Sequence, residues 1–255
     1  MRITLLGTGT SHGIPVASCG CSVCTSEAEE NKRYRCSLWV EVKGSSLIID
    51  TSPEFRLQTV RSGIRDVDGV LITHAHADHL HGIDDLRPFG WKKKIPIWAK
   101  QDVCDEVEAR FPYIFRAPLQ EGGGTPDISM NVIDPSRPFT VAGVTVTPLP
   151  VLHGKLEIMG YRIGSMAYIT DCSAISPKTE SLLQNLDTIV LGALRYKTHE
   201  THFSIPEALA FIKKISPGRA YLTHFSHDVD HFQLKADLPE GVEPAWDGLT
   251  ITIPD

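Results

Sequence analysis

The sequence predicts a single α/β domain spanning residues 1–255, a four-layer αββα sandwich made of two mixed sheets with outer helices. Short β-type runs alternate with helical stretches along the whole chain. A strand that ends in aspartate recurs about halfway through. Apolar runs repeatedly stop at a histidine or an aspartate, as they would if strand ends delivered polar side chains to one rim.

The β-type runs are ITLL, SLWVEV, SLIID, GVLIT, IPIWA, VTVTPL, MAYIT, TIVLGA, RAYLT and LTITI, separated by turn residues or helical segments. Ser52, Pro53 and Glu54 read as an N-cap, a first-turn proline and a dipole-matched acid, opening a helix that Gly63 stops. Ser204 and Glu207 form a capping-box pattern ahead of ALAFIKKI. Gly122 to Gly124, within APLQEGGGTPD, mark a flexible excursion. GSSLIIDTSPE at 44–54 is echoed by GSMAYITDCSAIS at 164–176, the strands delivering Asp50 and Asp171, and DGVLIT and DTIVLG follow at similar distances. An offset of about 120 residues implies two similar halves rather than a short-period solenoid. Two such halves can bury their sheets against each other.

A hydrophobic share of 42% is that of an ordinary globular protein, and a net charge of -6 argues against broad electrostatic binding of nucleic acid. The opening MRITLLGTGTSHG holds too short an apolar run for a secretion signal or a membrane span, so the expected compartment is the cytoplasm, away from any membrane. Cys19, Cys21 and Cys24 lie too close together to bridge one another and have the spacing of thiolate metal ligands. Cys36, Cys104 and Cys172 are scattered and read as buried thiols.

The densest chemistry is in LITHAHADHLHG, residues 71–82. After a strand ending at Thr73 the backbone turns, so that His74 and His76 can grip one cation while Asp78 and His79 grip a second. Imidazole and carboxylate without cysteine suit zinc, manganese or iron and disfavour a purely structural tetrahedral zinc. The same strand-to-ligand pattern recurs in PLPVLHG at His153, AYITD at Asp171 and AYLTH at His224. If all four strand ends face one edge, they make two adjoining sites.

HAHADH followed in order by His153, Asp171 and His224 resembles the metal-binding motifs of the metallo-β-lactamase superfamily, across nearly the whole chain. The resemblance implies two active-site divalent ions, one held by His74, His76 and His153, the other by Asp78, His79 and His224, with Asp171 bridging. LGTGTSHGIP, CGCSVC and THFSH resemble more closely the phosphoribosyl 1,2-cyclic phosphate phosphodiesterases of the carbon-phosphorus lyase pathway. That branch implies one structural zinc on Cys19, Cys21, Cys24 and His227.

Two such ions would acidify a shared water, whose hydroxide attacks phosphorus in line. The leaving alkoxide then needs a proton, and His202, just ahead of a helix in HFSIPEA, is the expected donor; it resembles the histidine of the general-acid motif H-x-S/T-x-x-E-A. Asp78 and His202 are therefore the expected catalytic pair. Arg87, Arg195, Lys197 and His199 are expected near a substrate phosphate. Asp50 is expected to orient a ligand imidazole, with His12, His81 and His231 structural. The expected activity is that of a metal-dependent phosphodiesterase on a small cyclic or nucleotide-like diester, the chain a possible homodimer. Two readings compete: a lactam or thioester hydrolase of the same fold, and a redox or metal-binding accessory protein. The first gives no task to His202 or to the cysteine cluster, and a flavodi-iron pattern wants Glu where this chain has His76, Ala77 and Asp78.

Overall fold

A computed structural model describes residues 1–116 and 124–254, so Gly122 and Gly123 of the expected flexible excursion lie outside the described residues. Strand residues alternate between two apolar environments with the period of two that a pleated strand imposes. In β1 (Arg2–Gly7) Ile3 and Leu5 face one core and Leu6 another. In β10 (Met166–Ile169) Met166 and Tyr168 face the first core, while Ala167 and Ile169 face a third. Both faces of each sheet are therefore buried.

One sheet has the order β15-β1-β2-β3-β4-β5-β6, where β2 is Ser37–Val42, β3 Ser45–Ile49, β4 Gly69–Leu71, β5 Ile95–Ala99, β6 Ile128–Val132 and β15 Thr250–Thr252. The other has the order β11-β8-β9-β10-β12-β13-β14, where β8 is Val144–His153, β9 Leu156–Ile163, β11 Ala174–Ile175, β12 Thr188–Gly192, β13 Arg219–Thr223 and β14 Val242–Pro244; β7 (Phe139–Val141) pairs with β8. In both sheets two antiparallel pairings are followed by three parallel ones: β1 to β3 and then β3 to β6 in the first, β8 to β10 and then β10 with β12 to β14 in the second. The motif at 44–54 and its echo at 164–176 thus occupy equivalent strands, β3 and β10.

The central core is shared by the two sheets, with Leu38, Val40 and Leu71 of one packed with Met159, Tyr161 and Val190 of the other. Helix Ile205–Ile215 covers the outside of the second sheet through Ile205, Ala208, Ile212 and Ile215, the i, i+3, i+7 spacing of one helical face. Phe55, Val103 and Val107, from helices Phe55–Ser62 and Gln101–Arg110, cover the first. The four layers are those expected, αββα, the metallo-β-lactamase type of sandwich.

Local signals mostly act as the sequence predicts. The capping box of Ser204 and Glu207 is formed in both directions, and Gly63 ends its helix at φ 68°. Ser52 differs. Its hydroxyl accepts the N–H of Glu54 at 3.2 Å, while the helix proper starts at Phe55 with Glu54 as an N-cap whose side chain makes no capping bond. GVLIT also stops early: β4 ends at Leu71, the Ile72 N–H makes one last bond to the Trp98 carbonyl of β5, and the Thr73 N–H leaves the sheet for the Asp50 carboxylate.

Gly82, which closes the histidine-rich turn, donates its N–H to the carbonyl of Thr51 at 3.0 Å, and a Cβ there would lie 2.0 Å from the Ser52 oxygen. Gly82→Ala should therefore push this turn off the strand end and cost about 1–3 kcal/mol, as overpacking typically does. Urea unfolding of the metal-free protein measures it; a change within about 0.5 kcal/mol would contradict the tight packing.

Candidate metal centre

Five strand ends build one polar cluster. Asp50 follows β3, Asp171 lies two residues beyond β10, His224 follows β13, His153 is the last residue of β8, and the turn after β4 carries His74, His76, Asp78 and His79. Asp50, Asp171 and His224 have φ of 65°, 50° and 63°. The left-handed conformation is uncommon for residues other than glycine, and here it turns each side chain out of the strand direction at the sheet edge.

Four sets of ligand-type atoms lie within 4.8 Å of one another here: His74, His76 and His153; His74, His79 and Asp171; Asp78, Asp171 and His224; and His153, Asp171 and His202. The first set is the expected first site. The expected second set is reached in two overlapping pieces that share Asp171. Its Oδ1 is 3.3 Å from His79 Nε2 and 3.1 Å from His224 Nδ1, and its Oδ2 is 3.9 Å from His74 Nε2. Asp171 thus sits between the two groups.

His79, His153 and His224 are each aimed by a neighbour on one ring nitrogen, the arrangement metal-ligating histidines adopt. Asp50 accepts from Thr73 N and Oγ1, both at 2.8 Å, and from His79 Nδ1 at 2.7 Å. His153 Nδ1 donates to the Thr201 carbonyl at 2.7 Å. His224 Nε2 lies 3.1 Å from Thr10 Oγ1. The role expected of Asp50 is the one its geometry supports. Thr10 and Thr201 went unrecognised in the sequence, because a carbonyl carries no residue signature and a threonine after a glycine reads as a turn.

These residues suit a cation. His79 Nε2 is buried with no hydrogen-bond partner. Asp50, Asp78 and Asp171 are all buried beside it. Burial alone would push the Asp171 carboxyl up, yet His224 and His79 hold it well below the usual carboxylate range. Burial lowers His79, but Asp171, Asp78 and Asp50 together lift it well above its ordinary value. Carboxylates crowded this way lack positive charge, and a divalent ion with oxygen and nitrogen ligands supplies it.

His202 stands at the edge of the cluster, its ring centroid 4.6 Å from that of His153 and 5.0 Å from that of His224. Burial, then the charge of His224, push its pKa down to about 3. His199 is exposed, with its ring 5.2 Å from that of His202. Arg195 belongs to the same loop, its carbonyl accepting the Ile205 N–H, and its Nε is buried without a partner. Lys197 is exposed. Arg87 is elsewhere: it donates to the Gly124 carbonyl at 2.8 Å and lines a 560 Å³ cavity with Arg56, Arg65 and Lys92 that none of the clustered histidines borders. His81 packs edge-on against Phe111, and His12 is exposed in a turn.

A second cluster lies apart from the first. Cys19, Cys21 and Cys24 Sγ are 3.2, 3.6 and 3.5 Å from His227 Nδ1. A tetrahedron with Zn–S and Zn–N bonds of about 2.3 and 2.0 Å has edges of roughly 3.5 Å, so the four atoms suit one zinc. The N–H of Cys24 points at Cys21 Sγ and lowers that thiol to about 6, whereas burial raises Cys24 to about 11. In zinc-free protein Cys21 should therefore become a thiolate as pH rises through about 6 and be alkylated by iodoacetamide well before Cys24. Mass spectrometry of labelled peptides at pH 7 checks the order; equal labelling, or none slowed by added zinc, would count against a thiolate site.

Residues 46–225 match the model of the beta-lactamase superfamily domain. Among solved structures, a protein described as a new diphosphatase from the PhnP family is 35% identical, with a TM-score of 0.93 over 99% of this chain and 98% of that one. Zinc-bound PqqB from Methylobacterium extorquens shares the fold at a TM-score of 0.82 and 19% identity, over 99% of this chain and 100% of that one. Among curated proteins, an octanoyltransferase from Porphyromonas gingivalis is 39% identical over 99% of this chain but only 52% of its own length, so the chain spans about half of that relative. Among the described residues, no helix is long and apolar enough to cross a membrane.

Proposed function

From the premise that this chain belongs to the metallo-β-lactamase superfamily of metal-dependent hydrolases, we propose that it cleaves a small phosphodiester, cyclic or nucleotide-like, such as phosphoribosyl 1,2-cyclic phosphate. One observation carries the reading: two sets of ligand-type side chains meet at Asp171, with His202 on their open edge. His74, His76 and His153 would hold one divalent ion, and Asp78, His79 and His224 the other, with Asp171 between them. Zinc and manganese suit these donors, and iron is compatible. Bound there, such ions polarise a phosphoryl oxygen and acidify water near neutral pH.

The rest is done by the chain. Asp50 keeps His79 in one tautomer by accepting its Nδ1–H, and the Thr201 carbonyl does the same for His153. Because Thr201 precedes His202, that contact also ties the position of His202 to the cluster. An anionic diester at the rim favours a protonated His202, which then gives its proton to the departing alkoxide. The thiolate cluster, holding one structural zinc, pins the loop at residues 19–24 to His227.

A second reading draws on the relative described as a diphosphatase. A phosphoanhydride offers the same attack at phosphorus with a better leaving group. The competing lactam and thioester readings keep those substrates in the test as well. Metal-loaded protein should be assayed against bis-p-nitrophenyl phosphate, phosphoribosyl 1,2-cyclic phosphate, cyclic nucleotides, a dinucleoside diphosphate, nitrocefin and a glutathione thioester. The proposal expects the highest kcat/KM on a diester; turnover of the thioester alone overturns it.

A further inference from the structure

Arg33 is the largest fully buried side chain among the described residues, at 2% exposure, and nothing in the chemistry above uses it. Sealing a guanidinium inside a domain costs several kcal/mol before its contacts are counted, so a bulky apolar residue would give stability more cheaply. Its contacts indicate another task.

Nη1 donates to Thr8 Oγ1 at 2.7 Å and to the Ala245 carbonyl at 2.6 Å, Nη2 lies 3.3 Å from His231 Nδ1, and the guanidinium carbon sits 4.7 Å above the ring of Phe225. Thr8 Oγ1 in turn donates a hydrogen bond to Asp247 Oδ1 at 2.7 Å, and the other oxygen of Asp247 accepts the Tyr34 N–H at 2.6 Å. Arg33 and Asp247 therefore balance each other's charge across one hydroxyl, and Thr8 has no freedom left.

Thr8 and Phe225 are among the residues that hold the His224 turn, together with Thr10 and with Thr170, whose Oγ1 lies 3.2 Å from His224 Nδ1. The Phe225 N–H donates to the Thr8 carbonyl and the Thr10 N–H to the Phe225 carbonyl, both at 3.0 Å. Between those bonds Thr10 Oγ1 meets His224 Nε2. Gly9 completes the fit, since a Cβ there would lie 3.1 Å from Arg33 Cβ and from the carbonyl oxygens of Arg33 and Tyr34. His224 itself is at φ 63°, a backbone state that persists only where the surroundings impose it.

We propose that Arg33 is a positioning residue: by fixing Thr8 through its hydroxyl and Phe225 through its ring, it holds the His224 turn so that the imidazole faces Asp171 at the metal-type rim. The cation-π seat reaches the turn through Phe225, and the bonds to Asp247 reach it through Thr8. A lysine keeps the charge but cannot serve Thr8, Ala245 and the ring together.

The inference rests on the rim being a metal centre and is independent of the substrate. The test compares Arg33→Lys and Thr8→Val with the parent by cobalt(II) titration against a chelator. Thiolate-to-cobalt absorption reports the cysteine cluster, and cobalt bound in excess of it, counted by elemental analysis after removal of free ion, reports the rim. Both variants should keep parental circular dichroism and the thiolate band while binding cobalt at the rim about 10- to 100-fold more weakly, the range seen when a ligand's supporting contacts are removed. A folded Arg33→Lys with parental rim affinity overturns the proposal. If that variant does not fold, Thr8→Val decides by the same criterion. A parent that takes up no cobalt at the rim overturns the metal reading and this inference with it.

Discussion

Asp171→Ala is expected to strip the rim of its cations and lower kcat/KM by about 10⁴-fold or more, equivalent to about 5 kcal/mol or more of lost transition-state stabilisation. No other substitution should cost as much. Among the described residues, Asp171 is the one carboxylate within 4 Å of His74, His79 and His224 together, at 3.9, 3.3 and 3.1 Å. Its loss leaves imidazoles facing each other with their shared anion gone, and a divalent ion then meets mostly neutral donors. The fold should survive, since the change removes a buried carboxylate whose charge is held by neighbouring histidines rather than by the apolar core. Elemental analysis should find the cysteine-bound zinc retained and the rim metals lost. A folded variant with full metal content and a near-parental rate would show that Asp171 bridges nothing.

The second large effect is expected for His202→Ala, and it should depend on the substrate. With an alkoxide leaving group kcat should fall by about 10²–10⁴-fold, the contribution of a positioned general acid. With p-nitrophenolate, which departs without a proton, the fall should be less than about tenfold. Metal content should not change. The alternative is specific: His202 also lies within ligand distance of His153 and Asp171. Equal losses on both substrates, together with lost metal, would make His202 a ligand and leave the proton donor unassigned.

Much of this site was legible because its residues announce themselves. HAHADH crowds ligand types into one turn, and His153, Asp171 and His224 each interrupt an apolar run at a strand end. The echo between residues 44–54 and 164–176 likewise anticipated two sheets with the same succession of pairings. Strand β9 was harder to see. Gly160 reads as a turn, but in the sheet it lets β10 approach, a Cβ there falling 2.9 Å from the Tyr168 oxygen. Strand β6, Ile128–Val132, does alternate apolar and polar residues, but over five residues only, too short a run to stand out beside the more apolar strands. The contacts that aim the ligands were hidden for a different reason. The carbonyl of Thr201, the hydroxyl of Thr10 and the guanidinium of Arg33 reach their partners across 48, 214 and 25 residues, and no local pattern encodes such a meeting. Arg87 was placed near the rim by its proximity in sequence to the histidine turn. The chain carries it instead into the cavity beside helix Phe55–Ser62.

The most direct measurement is anomalous diffraction from crystals of zinc- or manganese-loaded protein, recorded on both sides of the metal absorption edge. Two peaks flanking the Asp171 carboxylate about 3.5–4 Å apart, one toward His74, His76 and His153 and one toward Asp78, His79 and His224, are what a paired-ion hydrolase requires. A fully loaded crystal with no peak between those side chains, or with one ion bound away from Asp171, would contradict it.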